Sequence, residues 1–276
     1  MKIRVANSSD IPRLEEIWIE IFGDSYGFLS RFFDILFPAS VAFAAEESGQ
    51  LIGSAYVLDI CALKSGGTSL PCPYIYAVGV LPEFRGNGIG KQLILACRDY
   101  CRENYGASCI VPAGSSLFDY YHNTADYLPA FYASDFDIEA EGSVKAAITQ
   151  IDAEKYGELR EKLLGDKAHL AFSSAGLCFL ESLCQMQDGG LYILNADDSY
   201  AIAACEIGDN GLCIKEILCT DDNTRGFAAA LMWHFDCDHC SYRTPANEKH
   251  PESTRAFGML SKQIFTGPLY FGPAFD

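Results

Sequence analysis

The spacing of hydrophobic residues divides the chain into short segments of two kinds. Residues 1–5 alternate between polar and apolar and predict an edge strand. Apolar residues then recur at helical spacing over residues 11–21 and 28–36. Two apolar runs, residues 41–45 and 51–58, flank a short polar turn and predict a β-hairpin.

The clearest element is a strand, a glycine-rich loop and a helix over residues 74–100. Residues 74–81 form the apolar, aromatic and β-branched run that is typical of a strand buried on both faces. Pro82 should end this strand, because proline cannot donate a hydrogen bond to a sheet. Helical spacing resumes at Leu93, Ile94 and Cys97. A short buried strand is predicted after this helix, at residues 109–112.

The loop between this strand and helix has the properties of an anion-binding site. A helix begins with backbone N–H groups that have no partner within the helix, and its dipole is positive at that end. Gly86, Gly88 and Gly90 have no Cβ, so an anion can approach the backbone closely. Arg85 adds a positive charge beside them. The segment therefore predicts a phosphate or pyrophosphate site.

Three families of anion-binding loop were compared with this segment. The dinucleotide fingerprint G-x-G-x-x-G does not fit, because Gly86-Asn87-Gly88-Ile89-Gly90 does not have that spacing. The P-loop G-x-x-x-x-G-K-[ST] does not fit, because Gly90-Lys91 is followed by Gln92. The remaining pattern is R-x-x-G-x-G after a strand that ends V-x-V-x-P. It resembles the acyl-CoA loop of the GNAT (GCN5-related) N-acetyltransferases, and the resemblance runs from Val78 to Gly90.

The resemblance implies a complete cofactor site. Acetyl-CoA is the expected co-substrate, and no metal is expected. The backbone of Val78 and Val80 would bind the pantetheine arm, in a gap between the strand at residue 74 and that at residue 109. The Val80 N–H would also stabilise the oxyanion. The pyrophosphate would be held by a continuous set of residues, Arg85, Gly86, Asn87, Gly88, Ile89, Gly90 and Lys91.

Two adjacent tyrosines are candidates for the general acid. Residues 116–122 resemble the helix that carries the Leu-Tyr-x-x-x-Gly-Phe signature of these enzymes, and Tyr121 falls on its tyrosine. Residues Asn123 to Asp126 stand where the signature has Gly-Phe, so the alignment can also shift by one residue and place Tyr120 on the signature tyrosine. A phenol is protonated at neutral pH and can protonate the departing thiolate. For the general base, the sequence does not distinguish Asp59, Tyr76 and Glu83, and His122 is predicted to be a solvated helix residue.

The second half of the chain repeats the order of elements in the first. Strands are predicted at residues 131–138 and 144–151, helices at 152–164 and 174–186, then three strands and an apolar helix at 227–235. The loop before that last helix carries Asp221 and Asp222 and only one glycine, Gly226. Because carboxylates repel a pyrophosphate, we predict a degenerate GNAT-like domain over residues 144–276, without its own acyl-CoA, after an active domain over residues 1–143.

Cysteine and histidine usage was tested for a metal site. His234, Cys237, His239 and Cys240 lie within one short span, but structural zinc usually takes two ligand pairs separated by a dozen or more residues. The prediction is therefore no metal. The twelve cysteines are expected to be reduced and mostly buried.

Composition and charge narrow the choice of partners. The chain has 276 residues, 49% of them hydrophobic, and a net charge of −17. Such acidity argues against nucleic acid and anionic membrane as partners and is compatible with an amine acceptor. Neither a leader peptide nor a membrane span is predicted, so a cytoplasmic location is expected.

The predicted fold is α+β, with mainly antiparallel sheet, flanking helices and two GNAT-like domains in tandem. The predicted function is transfer of an acetyl group to a primary amine of a small-molecule or peptide acceptor. The second domain would wall the acceptor cleft or mediate homodimer formation. Two alternatives stay open: a non-catalytic acyl-CoA-binding or regulatory module, and transfer of a different acyl group.

Overall fold

The computed structural model describes residues 1–139 and 144–275. Within these ranges the chain forms seven α-helices: α1 Ile11–Phe22, α2 Tyr26–Arg31, α3 Ile89–Asn104, α4 Ser115–Ala125, α5 Ala153–Leu164, α6 Ser174–Met186 and α7 Thr224–His234. The strands of the same ranges are β1 Lys2–Val5, β2 Ser40–Glu47, β3 Gln50–Leu58, β4 Cys61–Ser65, β5 Thr68–Pro71, β6 Tyr74–Val80, β7 Cys109–Ile110, β8 Leu128–Glu139, β9 Ala147–Ile151, β10 His169–Phe172, β11 Gly190–Ala196, β12 Ser199–Gly208, β13 Gly211–Cys219, β14 His239–Pro245 and β15 Thr254–Leu260.

The chain divides into two compact units that each combine several segments. The first unit contains Met1–Ala62, Leu70–Ala130 and Gly258–Thr266, and the second contains Leu63–Ser69, Phe131–Phe257 and Gly267–Asp276. The predicted domain boundary between residues 143 and 144 falls beside residues 140–143, which lie outside the described ranges. That boundary therefore stays a prediction.

The first unit is built on a sheet in the order β1-β2-β3-β6-β7-β15. Neighbours are antiparallel except β6 and β7, which are parallel. The hairpin of β2 and β3 closes through Ser48 and Gly49, whose φ angles of 51° and 81° match the turn that favours tight hairpins. Leu51 to Leu58 are buried without interruption, so β3 lies at the centre of this core.

Helix α1 fixes the position of β6 by close packing. Its buried residues Leu14, Ile17 and Trp18 follow helical spacing, as the sequence predicts. A Cβ added to Gly79 of β6 would lie 2.8 Å from the Ile21 side chain. Only glycine fits between helix and strand at that point, and the strand that leads into the glycine loop is thereby held against α1.

The second unit has a sheet in the order β8-β14-β13-β12-β11-β9. Only β13 and β14 are parallel, and they pair over Leu212–Ile214 and Cys240–Tyr242. Helix α7 packs on this sheet through the buried side chains of Phe227, Leu231 and Met232. The second unit therefore places a helix after a strand of a parallel pair, as the first unit does with β6 and α3.

A fully buried ion pair joins several elements of the second unit. Arg160 of α5 and Glu216 of β13 are 1% and 0% exposed, and Arg160 Nε lies 2.9 Å from Glu216 Oε2. Tyr156 Oη donates to the same oxygen at 2.6 Å, and Arg160 Nη1 donates to the Leu170 carbonyl at 2.9 Å. A buried pair of this kind is worth little beyond a hydrophobic contact, but losing one partner alone costs about 3–5 kcal/mol.

The predicted elements differ from the structure mainly at segment ends. The predicted helix over residues 28–36 continues from α2 as a π-helical turn, Phe32–Leu36, and a 3₁₀ turn, Phe37–Ala39. Pro38 in that last turn prevents a continuous helix. The predicted strand over residues 144–151 begins only at Ala147.

Five strands, β4, β5, β10, β14 and β15, were missed by sequence reasoning. In β14 every second residue is buried, namely Cys240, Tyr242 and Thr244. That alternation is visible in the sequence but is overshadowed by the cysteines and histidines that suggest a metal site. The α+β prediction and the mainly antiparallel sheet are confirmed.

Candidate active site

The predicted cofactor gap is an open edge of β6. This strand pairs with β7 only at Tyr74–Cys109 and Ile75–Ile110, after which β7 ends. On the other side of β6, the Leu81 N–H donates to the Ile52 carbonyl at 3.0 Å. Because successive residues of a strand direct their backbone groups to opposite edges, the N–H and C=O of Val80 face the open edge.

A β-bulge lies just before this point in β6. Ser54 pairs with Gly79 and Tyr56 with Tyr76, so two residues of β6, Ala77 and Val78, oppose the single Ala55. Ala77 has φ of 47°, which costs an alanine roughly 1–2 kcal/mol. Bulges re-aim the backbone near functional sites, and this one sets the direction of Val78 at the open edge.

The glycine loop leaves the start of α3 without a capping side chain. Gly86 and Gly88 have φ of 82° and 74°, and a Cβ on either would meet nothing within 4 Å. Gly88 caps α3 through its backbone, and its carbonyl accepts the first intrahelical bond, from the Gln92 N–H. The N–H groups of the first turn therefore point out of the helix end into open space.

The other residues predicted to hold the phosphate occupy three kinds of position around this helix end. Arg85 Nε donates to the Val80 carbonyl at 2.9 Å, which places the guanidinium beside the end of β6. Asn87 and Lys91 are exposed, and Asn87 Nδ2 donates to the Phe84 carbonyl at 3.3 Å. Ile89 is buried and anchors the first turn of α3. The bond from Arg85 has no signal in the sequence.

The two candidate tyrosines of α4 lie in different surroundings. Tyr120 is 39% exposed, and its hydroxyl would lie 3.3 Å from a Cβ on Gly90. Tyr121 is 8% exposed, and its ring centre is 5.4 Å from that of Tyr120. Burial, with a smaller contribution from Tyr120, raises the pKa of Tyr121 to about 12, and burial also raises the pKa of Tyr120. The hydroxyl beside the glycine loop is thus that of Tyr120.

A sequence comparison identifies the family that this strand, loop and helix resemble. Residues 11–114 match the model of the acetyltransferase (GNAT) family. The matched segment contains β6, the glycine loop and α3, and it ends immediately before α4. Residues 11–114, less than half of the chain, therefore resemble a GNAT domain. That family supports acyl transfer as the general reaction, without selecting the acyl group or the acceptor.

Solved structures with the GNAT fold resemble the chain over almost its whole length. A conserved protein of unknown function from Enterococcus faecalis V583 has a TM-score of 0.70 at 14% identity, covering 94% of this chain and 72% of that one. A GCN5-related N-acetyltransferase from Anabaena variabilis gives 0.69 at 18%, with coverage of 94% and 72%. Eis1 from Mycobacterium abscessus gives 0.63 at 14%, with coverage of 94% and 73%.

At these identities the likeness establishes the fold alone. Because it covers 94% of the chain, it extends over segments of both units. Among curated proteins, none matches the sequence significantly.

The three candidates for a general base, Asp59, Tyr76 and Glu83, and the nearby His122, predicted to be a solvated helix residue, occupy different positions. Asp59 Oδ2 accepts a hydrogen bond from Tyr105 Oη at 3.0 Å, and Glu83 is exposed in the turn after β6. His122 is exposed, and its Nδ1 lies 3.1 Å from the Tyr127 carbonyl. Tyr76 is half-buried and packs against aromatic rings. The choice among the three candidates stays open, as it does in the sequence.

An aromatic cluster adjoins β6 within residues 11–114. Trp18 of α1 packs against Phe32, Tyr56 and Tyr76 at ring-centre distances of 4.6, 5.2 and 5.9 Å. The hydroxyl of Tyr56 and that of Ser54, two residues before it on β3, are buried without a partner among the described residues. The sequence shows these aromatics as helical stripes and one strand, but not that they form one cluster.

The corresponding loop of the second unit is closed by its own side chains. Asn223 Oδ1 accepts the Gly226 N–H at 3.2 Å and caps α7, and Asp221 Oδ1 accepts the Asn223 N–H at 3.1 Å. Asp222 pairs with Lys249. A Cβ on Gly226 would lie 2.6 Å from Asn223 Oδ1. The N-terminus of α7 is therefore occupied, unlike that of α3.

No helix within the described ranges is long and apolar enough to span a bilayer. Within the same ranges, no three metal-ligating side chains converge. All twelve cysteines are free, and eight of them are buried.

Proposed function

We propose that the GNAT domain transfers an acetyl group from acetyl-CoA to a primary amine of a small-molecule or peptide acceptor. The amine attacks the thioester directly, and the C–S bond breaks as the amide forms. The observation that carries this proposal is the uncapped start of α3 at the open edge of β6. Exposed N–H groups, two glycines with positive φ and Arg85 create an anion site where a strand edge ends.

The coenzyme would lie along this edge and end at the glycine loop. The amides of the pantetheine arm bind to the backbone of Val78 and Val80, which takes the place of a missing neighbouring strand. The diphosphate then lies against the residues from Arg85 to Lys91. The Val80 N–H is the donor for the oxyanion of the tetrahedral intermediate. This geometry supports an acyl-CoA because it combines amide recognition with diphosphate recognition.

Tyr121 is the proposed general acid. Its phenol, with a pKa of about 12, is fully protonated at neutral pH and can release its proton once negative charge develops on the sulfur. Tyr120 is the alternative, and the proximity of its hydroxyl to Gly90 supports it. In either assignment the proton passes from phenol to thiolate, and CoA leaves as the thiol. The attacking amine loses one proton to Asp59, Tyr76 or Glu83, directly or through water, and return of a proton to the phenolate completes the cycle.

Turnover of acetyl-CoA with a panel of amines, with products detected by mass, tests the function. General-acid catalysis contributes about 10²–10⁴-fold, so Tyr121→Phe should lower kcat by that factor. CoA affinity, measured by calorimetry, should stay unchanged in the variant. Tyr120→Phe is the matched control, since the two rings are neighbours on α4. Loss of activity in Tyr120→Phe alone would instead identify Tyr120 as the general acid.

A non-catalytic acyl-CoA-binding or regulatory module is the second candidate. Burial of Tyr121 favours it, since a phenol that is 8% exposed has restricted access to a departing thiolate. Tight CoA binding without turnover of any amine would select this alternative. Calorimetry with several acyl-CoAs separates acetyl transfer from transfer of another acyl group.

The second unit is proposed to be a degenerate GNAT-like domain without acyl-CoA. The acidic loop supports this, because Asp221 and Asp222 would face the diphosphate and Asn223 already caps α7. The proposed division of the chain is residues 1–143 and 144–276, as the repeated order of elements suggests. CoA should accordingly bind with a stoichiometry of one per chain.

A further inference from the structure

The second unit contains a large cavity between two strands. β13 and β14 pair only over three residues each and then separate. The cavity, of about 1170 Å³, lies where they have separated and is lined by Ile217, Cys219, Thr244 and Asn247, among others. This volume is at the upper end of the usual range for ligand pockets, roughly 300–1,000 Å³.

Backbone groups of β13 face this cavity. Thr220 N–H donates to the Tyr200 carbonyl of β12 at 3.0 Å. Because the bonding direction alternates along a strand, the N–H and C=O groups of Ile217 and Cys219 point away from β12, towards the side of β14. β14 no longer pairs with them there. The cavity therefore has an open strand edge as one wall.

Positive charge occupies another wall. Lys162 Nζ lies 5.7 Å from the centre of the Tyr200 ring, over its face. Within the described ranges neither Lys162 nor Lys167 forms an ion pair, and both line the cavity. The hydroxyl of Tyr200 is buried without a partner in those ranges. The two ammonium groups can thus bind an anionic group, whereas the Tyr200 hydroxyl is closed to solvent.

Carboxylates balance this charge within the same cavity. Asp221 and Glu248 also line it, whereas Asp222 is paired with Lys249. The unpaired carboxylates and the occupied start of α7 disfavour a diphosphate. A ligand with one positive and one negative end, and amides between them, matches both the charges and the strand edge.

We propose that this cavity binds a short peptide with free termini, in extended conformation, by addition to the edge of β13. The peptide's amides pair with the backbone of Ile217 and Cys219. Its carboxylate binds to Lys162 and Lys167, and its ammonium group binds to Asp221 and Glu248. This is strand addition, in which main-chain bonds provide affinity and charged ends provide selectivity. The site is independent of acyl transfer in the first unit.

Titration of the full chain with the tetrapeptide Ala-Val-Ala-Val tests the proposal. Affinity is measured by calorimetry, and the amide signals of Ile217 and Cys219 are followed by NMR. We expect saturable binding and shifts at both amides. Amidation of the carboxyl terminus and acetylation of the amino terminus should each weaken binding about tenfold, since each removes hydrogen bonds to charged groups. N-methylation of the two valine amides should abolish it.

Three variants test the wall residues. The double variant Lys162→Gln with Lys167→Gln should lower the affinity for the peptide about tenfold but leave the affinity for the amidated peptide unchanged. Lys155→Gln is the control on the same helix, because Lys155 is exposed, pairs with Glu158 and does not line the cavity. Tyr200→Phe is a second control and should leave binding and the melting temperature unchanged, since the hydroxyl that it removes is closed to solvent and has no partner among the described residues.

Several outcomes would overturn the proposal. No saturable binding of the tetrapeptide up to millimolar concentration would do so. Binding that survives N-methylation, or that leaves the Ile217 and Cys219 signals unchanged, would contradict strand addition. CoA alone shifting the same two amides would show that the cavity is a coenzyme site instead. None of these results depends on whether the first unit is an acetyltransferase.

Discussion

The loops that follow β6 and β13 occupy the same place in a parallel strand pair but differ at the start of the next helix. After β6, glycines with positive φ leave the first turn of α3 without a side-chain cap. After β13, Asn223 caps α7 and two carboxylates stand beside it. An uncapped helix end costs stability and is retained where a ligand provides the missing hydrogen bonds. This difference supports the proposal that the coenzyme binds at the first loop.

Reversing the charge of the first loop should produce the largest effect. Asn87→Asp with Lys91→Glu changes the charge beside the diphosphate by −3, and CoA affinity should fall at least about a hundredfold. The control, Asn104→Asp with Arg102→Glu, makes the same change at the other end of α3. If both double variants lose CoA affinity to a similar extent, only the net charge matters and the loop is not the CoA site.

Adding side chains to glycine separates close approach from backbone strain. Gly88 and Gly106 have φ of 74° and 86°, and a Cβ on either would meet nothing within 4 Å. Valine at either position should lower the free energy of unfolding by about 1–2 kcal/mol. Only Gly88→Val should also lower CoA affinity, by about tenfold or more, because of the two glycines only Gly88 lies at the proposed anion site. Equal CoA affinity in the two variants would contradict this.

Removing the cap of α7 should have a smaller effect, confined to stability. Asn223→Ala should lower the free energy of unfolding by about 0.5–2 kcal/mol, since the side chain satisfies the Gly226 N–H. Urea unfolding measures the change. CoA affinity should not move; a loss of coenzyme binding in this variant would show that the second loop belongs to the coenzyme site.

The sequence was sufficient for local elements and for the positive φ angles of the glycine loop. Helix α6 was predicted at its observed bounds, and α5 with its acidic cap, because helical spacing and caps are local signals. The conformation of the glycine loop could be predicted because positive φ angles favour particular residues, above all glycine. These features depend on neighbours along the chain.

Features that depend on distant contacts were not predictable. The hydrogen bond from Arg85 to the Val80 carbonyl and the positive φ of Ala77 have no local signature. The choice between Tyr120 and Tyr121 depends on how α4 packs, and in the structure the hydroxyl of Tyr120 is the one beside Gly90. The cavity beside β13 follows from the separation of two strands, one of which was missed altogether.

The most direct test of the central claim is a crystal structure of the full chain with bound CoA. The account predicts diphosphate oxygens within hydrogen-bonding distance of backbone nitrogens between Asn87 and Lys91, with the pantetheine arm along Val78 and Val80. A loop that stays empty at saturating CoA, or a diphosphate bound beside Asp221 instead, would contradict it.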